Sequence, residues 1–228
     1  MSASQAMPQM GRKGALQPSG LVLFDKPAGP SSFAIVRQLR EQTGARAGHA
    51  GTLDPFATGL LLVLLGSFTK KAQRFVGLPK RYETAVDLSK TSSTGDPEGD
   101  LGDEHEPPSL LDLEAQLDAL RGEVDLKIPV ASAVKIDGER AYKLHRRGVA
   151  VEMPTRRTTV YELELEEYEE PVARLSMRLS SGGYVRAVAE ALGGHCVNLR
   201  RTHVGPFDIA DADPELILAP ADALAALA

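Results

Sequence analysis

Residues 44–59, GARAGHAGTLDPFATG, form a glycine-rich segment with neither the 3.6-residue period of a helix nor the alternation of a strand. Both of its flanks are periodic. Upstream, the apolar run 20–24 closes on Lys26-Pro27 and predicts a strand. Ser31-Ser32 then offers a helix cap, Phe33, Ile35, Val36 and Leu39 follow at helical spacing, and Gly44 is the stop. Downstream, the apolar run 60–65 predicts a buried strand, 67–76 a short amphipathic helix, and 82–88 alternates like a strand. An aperiodic stretch pinned between ordered elements is expected to be a loop with a fixed task rather than a linker.

Further along, 90–108 is rich in Ser, Thr, Gly, Pro and acid, and reads as a turn or exposed insertion. Ser109 caps an expected helix with Leu110, Leu113, Leu117 and Leu120 on one face, closed by Gly122. A strand is expected over 128–135, a basic helix over 140–147, and two longer strands over 158–168 and 173–179. A helix over 184–192 stops at Gly193-Gly194, and 197–204 is again strand-like. Strands outnumber helices and come in adjacent pairs. The expected class is therefore α+β, with a mixed, largely antiparallel central sheet flanked by helices, and not a doubly wound parallel sheet. Residues 1–19 read as a polar, flexible tail, and 20–228 as one domain.

With 228 residues, 43% apolar and 25% charged, the chain has the balance of an ordinary globular protein and enough length for a self-sufficient core. Its one cysteine, Cys196, excludes an internal disulfide and a cysteine-based zinc site, so a reducing, cytoplasmic setting is expected. No apolar run is long enough to span a bilayer, and the first 19 residues lack a signal-peptide core. Net charge is −5, but it is distributed in blocks. Residues 1–90 hold 12 bases and 5 acids, whereas 91–126 hold 11 acids and one base, and 158–171 hold six acids and no base. Two further basic stretches, 127–157 with eight bases and 172–204 with five, alternate with the acidic ones. If the basic stretches share a face, that face suits a polyanion.

Within the basic first part, Asp54 is the one carboxylate between Glu41 and Glu83, a span with six bases. Nearby positive charge favours its ionised form, and Pro55 biases it toward extended backbone. Such a carboxylate suits a nucleophile or base; an Asp that caps a turn before Pro fits the same residues. The segment lacks the GK[ST] ending of a phosphate-binding loop, and the five histidines show no metal-ligand spacing.

Taken in order, Asp25-Lys26-Pro27-Ala28-Gly29, AGHAGTLDPFATGLL over 47–61, KRY over 80–82, SAVK over 132–135 with a basic helix after it, SSGGYVR over 180–186 and LRRTHVGPF over 199–207 resemble the bacterial tRNA pseudouridine synthase B family. The resemblance implies the pseudouridine synthase catalytic fold. It also implies conversion of uridine to pseudouridine in the T loop of tRNA, at position 55 in tRNA numbering, with no metal or organic cofactor. By that resemblance Asp54 is the essential aspartate, which attacks the nucleoside or assists detachment of its base. Tyr82 is the aromatic that stacks on the flipped uracil and handles a proton, and Arg186 is the arginine that pairs with the aspartate. His49 lies in the loop that enters the folded RNA, and Lys26 supports the catalytic loop. Tyr184, Leu199 and Arg200 line the pocket, and Lys135 is assigned to substrate binding.

The chemistry asks for the same parts. Moving a glycosidic bond from nitrogen to carbon requires a base taken out of the stack, an aromatic to receive it and a carboxylate, and needs no activated water. The expected partner is the T arm of tRNA, with no membrane and no protein partner, and the expected state is a monomer. Two departures from the family stand out: the chain stops at Ala228, where members usually continue into a small C-terminal RNA-binding domain, and Gly183 stands where Thr is frequent. The glycine is expected to be tolerated. A non-catalytic tRNA binder and a base hydrolase remain as competing readings, and RNA mass separates the enzymes, since isomerisation leaves it unchanged.

Overall fold

The computed structural model describes Gln5, Ala6 and residues 17–227. The tail expected over 1–19 lies outside the described residues, except for Gln5, Ala6 and 17–19. The chain runs through β1 (Gln5–Ala6), β2 (Gly20–Lys26), α1 (Ser32–Thr43), β3 (Ala47–His49) and β4 (Thr58–Leu65). A 3₁₀ turn, Gly66–Lys71, leads into α2 (Ala72–Val76) and β5 (Lys80–Asp87). Next come α3 (Leu110–Ala119), β6 (Gly122–Lys127), the short strands β7 (Lys135–Ile136) and β8 (Glu139–Arg140), and α4 (Ala141–Arg146). The chain ends with β9 (Thr155–Glu169), β10 (Val172–Leu179), α5 (Val185–Ala191), β11 (His195–Val204), β12 (Phe207–Asp208), β13 (Asp213–Leu218) and α6 (Pro220–Ala225). The fold is α+β, built on a large, mostly antiparallel sheet.

The chain divides into two compact units. Described residues up to Arg81 and from Arg200 onward form the first, and Tyr82–Leu199 the second. In the first, strands follow the order β1, β13, β2, β4, β11, with β3 on β4 and β12 on β11. The pairing of β4 with β11 is parallel and makes the sheet mixed. In the second, the order is β11, β5, β10, β9, β6. Leu21 and Leu23 of β2 and Leu60, Leu62 and Leu64 of β4 project into one core with Phe68, Phe75 and Phe207. Seven of the eight residues of β4 are buried, which is why its apolar run over 60–65 shows no alternation.

Local signals explain the ends of α1. Ser31 is extended and its hydroxyl accepts the Ala34 N–H, while Gly44, at φ 65°, returns its N–H to the Arg40 carbonyl. The continuous helix expected over 67–76 is instead a 3₁₀ turn followed by α2. Side chains divert its ladder: Ser19 Oγ takes the Phe68 N–H at 3.2 Å, and Thr69 Oγ1 donates to the Gly66 carbonyl at 2.9 Å. The strand expected over 128–135 is also corrected. Ile128 bonds the Pro154 carbonyl, Pro129 has no N–H to continue a ladder, and only Lys135–Ile136 is extended and paired. The strand lies earlier, in the mostly exposed edge segment β6. Residues 90–108 are not simply an exposed insertion either, since Thr94 and Asp96 are buried.

Candidate active site

Asp54 is half-buried in the turn after β3, and the Ala57 N–H closes that turn on the Asp54 carbonyl at 3.2 Å. Three side chains from three elements hold the main chain on either side of it. Lys26, at the end of β2, is fully buried. Its Nζ donates to the carbonyls of Pro27 (2.8 Å), Pro55 (3.2 Å) and Ala57 (2.7 Å). Ser32, the first residue of α1, donates its hydroxyl to the Leu53 carbonyl at 2.9 Å and accepts the Leu53 N–H at 2.8 Å. Arg201, buried in β11, donates from Nε to the Leu60 carbonyl (2.7 Å) and from its two terminal nitrogens to Thr52 (3.5 Å) and Gly51 (3.1 Å). Hydrogen bonds of this kind are what permit a charge to be buried at all. The backbone at 51–53 and at 55–57 is thus fixed, and Asp54 sits between the two clamps. Gly59 allows the arrangement: its φ is +102°, and a Cβ there would lie 2.3 Å from the Arg201 carbonyl oxygen.

His49 ends β3 opposite Val63 of β4. Its Nδ1 is buried with no hydrogen-bond partner among the described residues. Burial first, and then the Arg201 charge, hold its pKa below the ordinary histidine value, so the ring is neutral at pH 7. Arg200, beside Arg201 in β11, instead reaches Asp25 with both terminal nitrogens, at 3.2 and 2.8 Å.

In the second unit, the alternation of β5 places Tyr82 on its buried side with Thr84 and Val86. Tyr184 caps α5 in an extended conformation, its ring centroid 5.9 Å from the Arg156 guanidinium. Arg186, in the first turn of α5, is buried. One terminal nitrogen donates to the Thr94 carbonyl at 2.7 Å and lies 3.3 Å from Asp96 Oδ2; the other donates to the Ala131 carbonyl at 3.0 Å. Asp96 is itself oriented, because its Oδ1 accepts from Thr94 Oγ1 (2.6 Å) and the Glu98 N–H (3.1 Å). Leu199 is buried in β11, whereas Lys135 is exposed in β7 opposite Arg140. Its neighbours Val134 and Ile136 pack with Tyr184 against Ile128, Ala141 and Met153. At Gly183, a Cβ would lie 2.9 Å from Thr158 Cγ2, so Thr158 fills the space that a side chain at 183 would need.

The sequence profile of the TruB family pseudouridylate synthase (N terminal domain) matches residues 37–185. The chain is 41% identical to a tRNA pseudouridine synthase B of Corynebacterium jeikeium, over 93% of this chain and 77% of that protein. The chain belongs to this family. A tRNA pseudouridine synthase B of Pseudomonas aeruginosa is also 41% identical, over 85% of this chain and 66% of the relative. Among solved structures, a chain of a Cbf5-Nop10-Gar1 complex superposes with a TM-score of 0.64 at 26% identity, over 83% of this chain and 50% of that one. A pseudouridylate synthase crystal structure, with a TM-score of 0.50 at 16% identity, shares the fold over 93% of this chain and 75% of the other. The chain thus spans about half the length of the Cbf5 chain and 66–77% of the two curated relatives. As a TruB-family pseudouridylate synthase, the protein is an isomerase.

Several buried polar residues of the two units are not legible in the sequence. Ser32 looks like a helix cap, and Arg201 and Lys80 like surface bases. Lys80 is in fact buried, with Nζ 2.5 Å from each of the Val76 and Leu78 carbonyls. Burial, and secondarily Arg201, push its pKa down to about 8. The period-2 pattern of β5, which puts Lys80 on the same side as Tyr82, was the available signal. Asp96 had none, because its partner lies 90 residues away. The basic stretch 172–204 is largely consumed by the fold. Arg174 and Arg178 of β10 stand opposite Glu167 and Glu162 of β9 and pair with them at 2.9 and 2.8 Å, so acid and base blocks cancel across one ladder.

Proposed function

We propose that the chain isomerises uridine to pseudouridine in the T loop of tRNA, at position 55 in tRNA numbering, as a single chain in the cytoplasm. The observation that carries this reading is the doubly clamped turn around Asp54 in a chain of the TruB family. A rigid backbone holds the carboxylate without reorganisation when the nucleoside arrives. The target nucleotide turns out of the loop, its uracil stacks on Tyr82, and Asp54 attacks the nucleoside or assists detachment of the base. The bond from C1′ to N1 breaks, the freed uracil rotates, and a bond from C1′ to C5 forms. C5 loses its proton and N1 gains one, so atoms and electrons balance with no redox partner. Arg186, aimed by Asp96, is assigned to orient Asp54 and keep it charged, and a planar guanidinium suits that task. Lys26 fixes the loop, while His49, Lys135, Tyr184, Leu199 and Arg200 are assigned to the RNA.

The test is incubation with an unmodified tRNA transcript, followed by carbodiimide-primer mapping and mass measurement. A new stop at the T-loop uridine with unchanged RNA mass is expected. Loss of uracil mass would reveal a hydrolase, and no stop at all would leave only a binder.

A further inference from the structure

We propose that the outer face of α1 is a second RNA contact, in which Phe33 stacks on an unpaired base and Arg37 and Arg40 hold the phosphates beside it. The inference rests on the reading that tRNA is the substrate. Ser32, Ile35, Val36 and Leu39 form the buried face of α1. Phe33, Arg37 and Arg40 follow at i, i+4 and i+7, which places them in one exposed stripe that flanks the buried face. Phe33 is 61% exposed, and among the described residues it meets no ring or cation, whereas the exposed Tyr161 is covered by Arg178. Neither arginine has an ion pair among the described residues, and both are exposed. Glu41 is the one acid on this side of the helix.

Position argues for substrate RNA. Ser32 bonds Leu53 on both its N–H and its carbonyl, so Phe33 sits at the helix end that abuts the Asp54 turn. Arg40 lies seven residues further, about 10 Å along the axis. At the far end, Arg37, Arg40 and Arg46 outnumber Glu41 around a surface hollow of about 570 Å³, which Gly44, its carbonyl taken by Gln17, also borders. The positive track continues there, since the Gly66 N–H bonds the Arg46 carbonyl at 2.7 Å and the turn that begins at Gly66 carries Lys70 and Lys71. An exposed aromatic interleaved with arginines that form no ion pair among the described residues, leading away from a base-flipping site, is the arrangement that grips nucleic acid by stacking and phosphate contact together.

The test measures binding of an unmodified tRNA transcript over a potassium chloride series, in full-length protein carrying Asp54→Asn so that the RNA is not turned over. Adding Phe33→Ala is expected to weaken binding about tenfold with an unchanged salt slope. Adding Arg37→Gln with Arg40→Gln is expected to lower the slope by about 1.4–1.8, the value for two phosphates, whereas Arg37→Lys with Arg40→Lys keeps it. All positions are exposed, and unchanged thermal melting verifies that each variant is folded. Wild-type affinity and slope in all three variants overturn the inference, while pseudouridine formation by the unsubstituted chain leaves the functional reading intact. A parent protein that does not bind tRNA overturns both.

Discussion

Arg186 takes its aim from a carboxylate in a segment that composition alone marks as a surface turn. Asp96→Ala breaks the buried Arg186–Asp96 ion pair. It is expected to destabilise the protein by about 3–5 kcal/mol in urea denaturation and to slow single-turnover pseudouridine formation. Arg186→Lys keeps the charge but loses the fork that reaches Thr94, Ala131 and Asp96 at once. It should fall at least 100-fold in rate with tRNA affinity retained, and full activity would sink the pairing with Asp54. Lys80 predicts a pH dependence. Unfolded lysine titrates near 10.5 and folded Lys80 at about 8, so between those values the unfolded chain holds the extra proton. The cost of burying its charge is present in full below pH 8, and stability rises with pH through the window, by about 3 kcal/mol in all. Denaturation of wild type and Lys80→Met from pH 7 to 10 checks this: the difference should move in favour of wild type above pH 8. Lys26, which its motif assigns to the support of the loop, bonds the Pro55 and Ala57 carbonyls there. Asp96 and Arg201 were not legible in the sequence, because a charge reads as surface until its buried partner is known.

At the scale of elements, the sequence was most informative where a signal is local. Ser31 and Gly44 bound α1 by their own conformations, and the unbroken apolar run of β4 reports burial on both faces. It was least informative where neighbours decide. The 3₁₀ turn before α2 follows from Ser19, nearly fifty residues earlier, and β6 is mostly exposed and shows little hydrophobic signal. The parallel pairing of β4 with β11 rests on one glycine. Gly59→Ala puts a methyl group into the Arg201 carbonyl and strains a φ of +102°, and is expected to cost more than about 2 kcal/mol. Gly44→Ala meets no atom within 4 Å and should cost only about 1 kcal/mol for its left-handed φ. Thermal melts of the two variants decide: equal losses would remove the close approach as the reason for Gly59.

Over the whole molecule, charge blocks overstate what is free to bind. The chain is acidic overall, yet tRNA affinity is expected to fall steeply with salt, because phosphate contacts release counterions. The cations to count are those outside ion pairs among the described residues, such as Arg37, Arg40, Lys70 and Lys71, rather than Arg174 and Arg178, which β9 neutralises. A flat response of log affinity to log salt would show that the basic residues do not act together. Asp54→Asn should bind like wild type under every salt condition and form no pseudouridine at long incubation, since the substitution removes a charge from the reaction and none from the grip.

Lys26, Lys80 and Arg201 all reach main-chain oxygens, which every amino acid supplies. No replacement at Ala57, Val76 or Leu78 can delete the acceptor offered there. In a saturation mutagenesis screen, therefore, intolerance should concentrate on the three cations, while the positions they grip vary subject only to size. Genetic drift can then rewrite the wall of the site without letting go of the loop it holds.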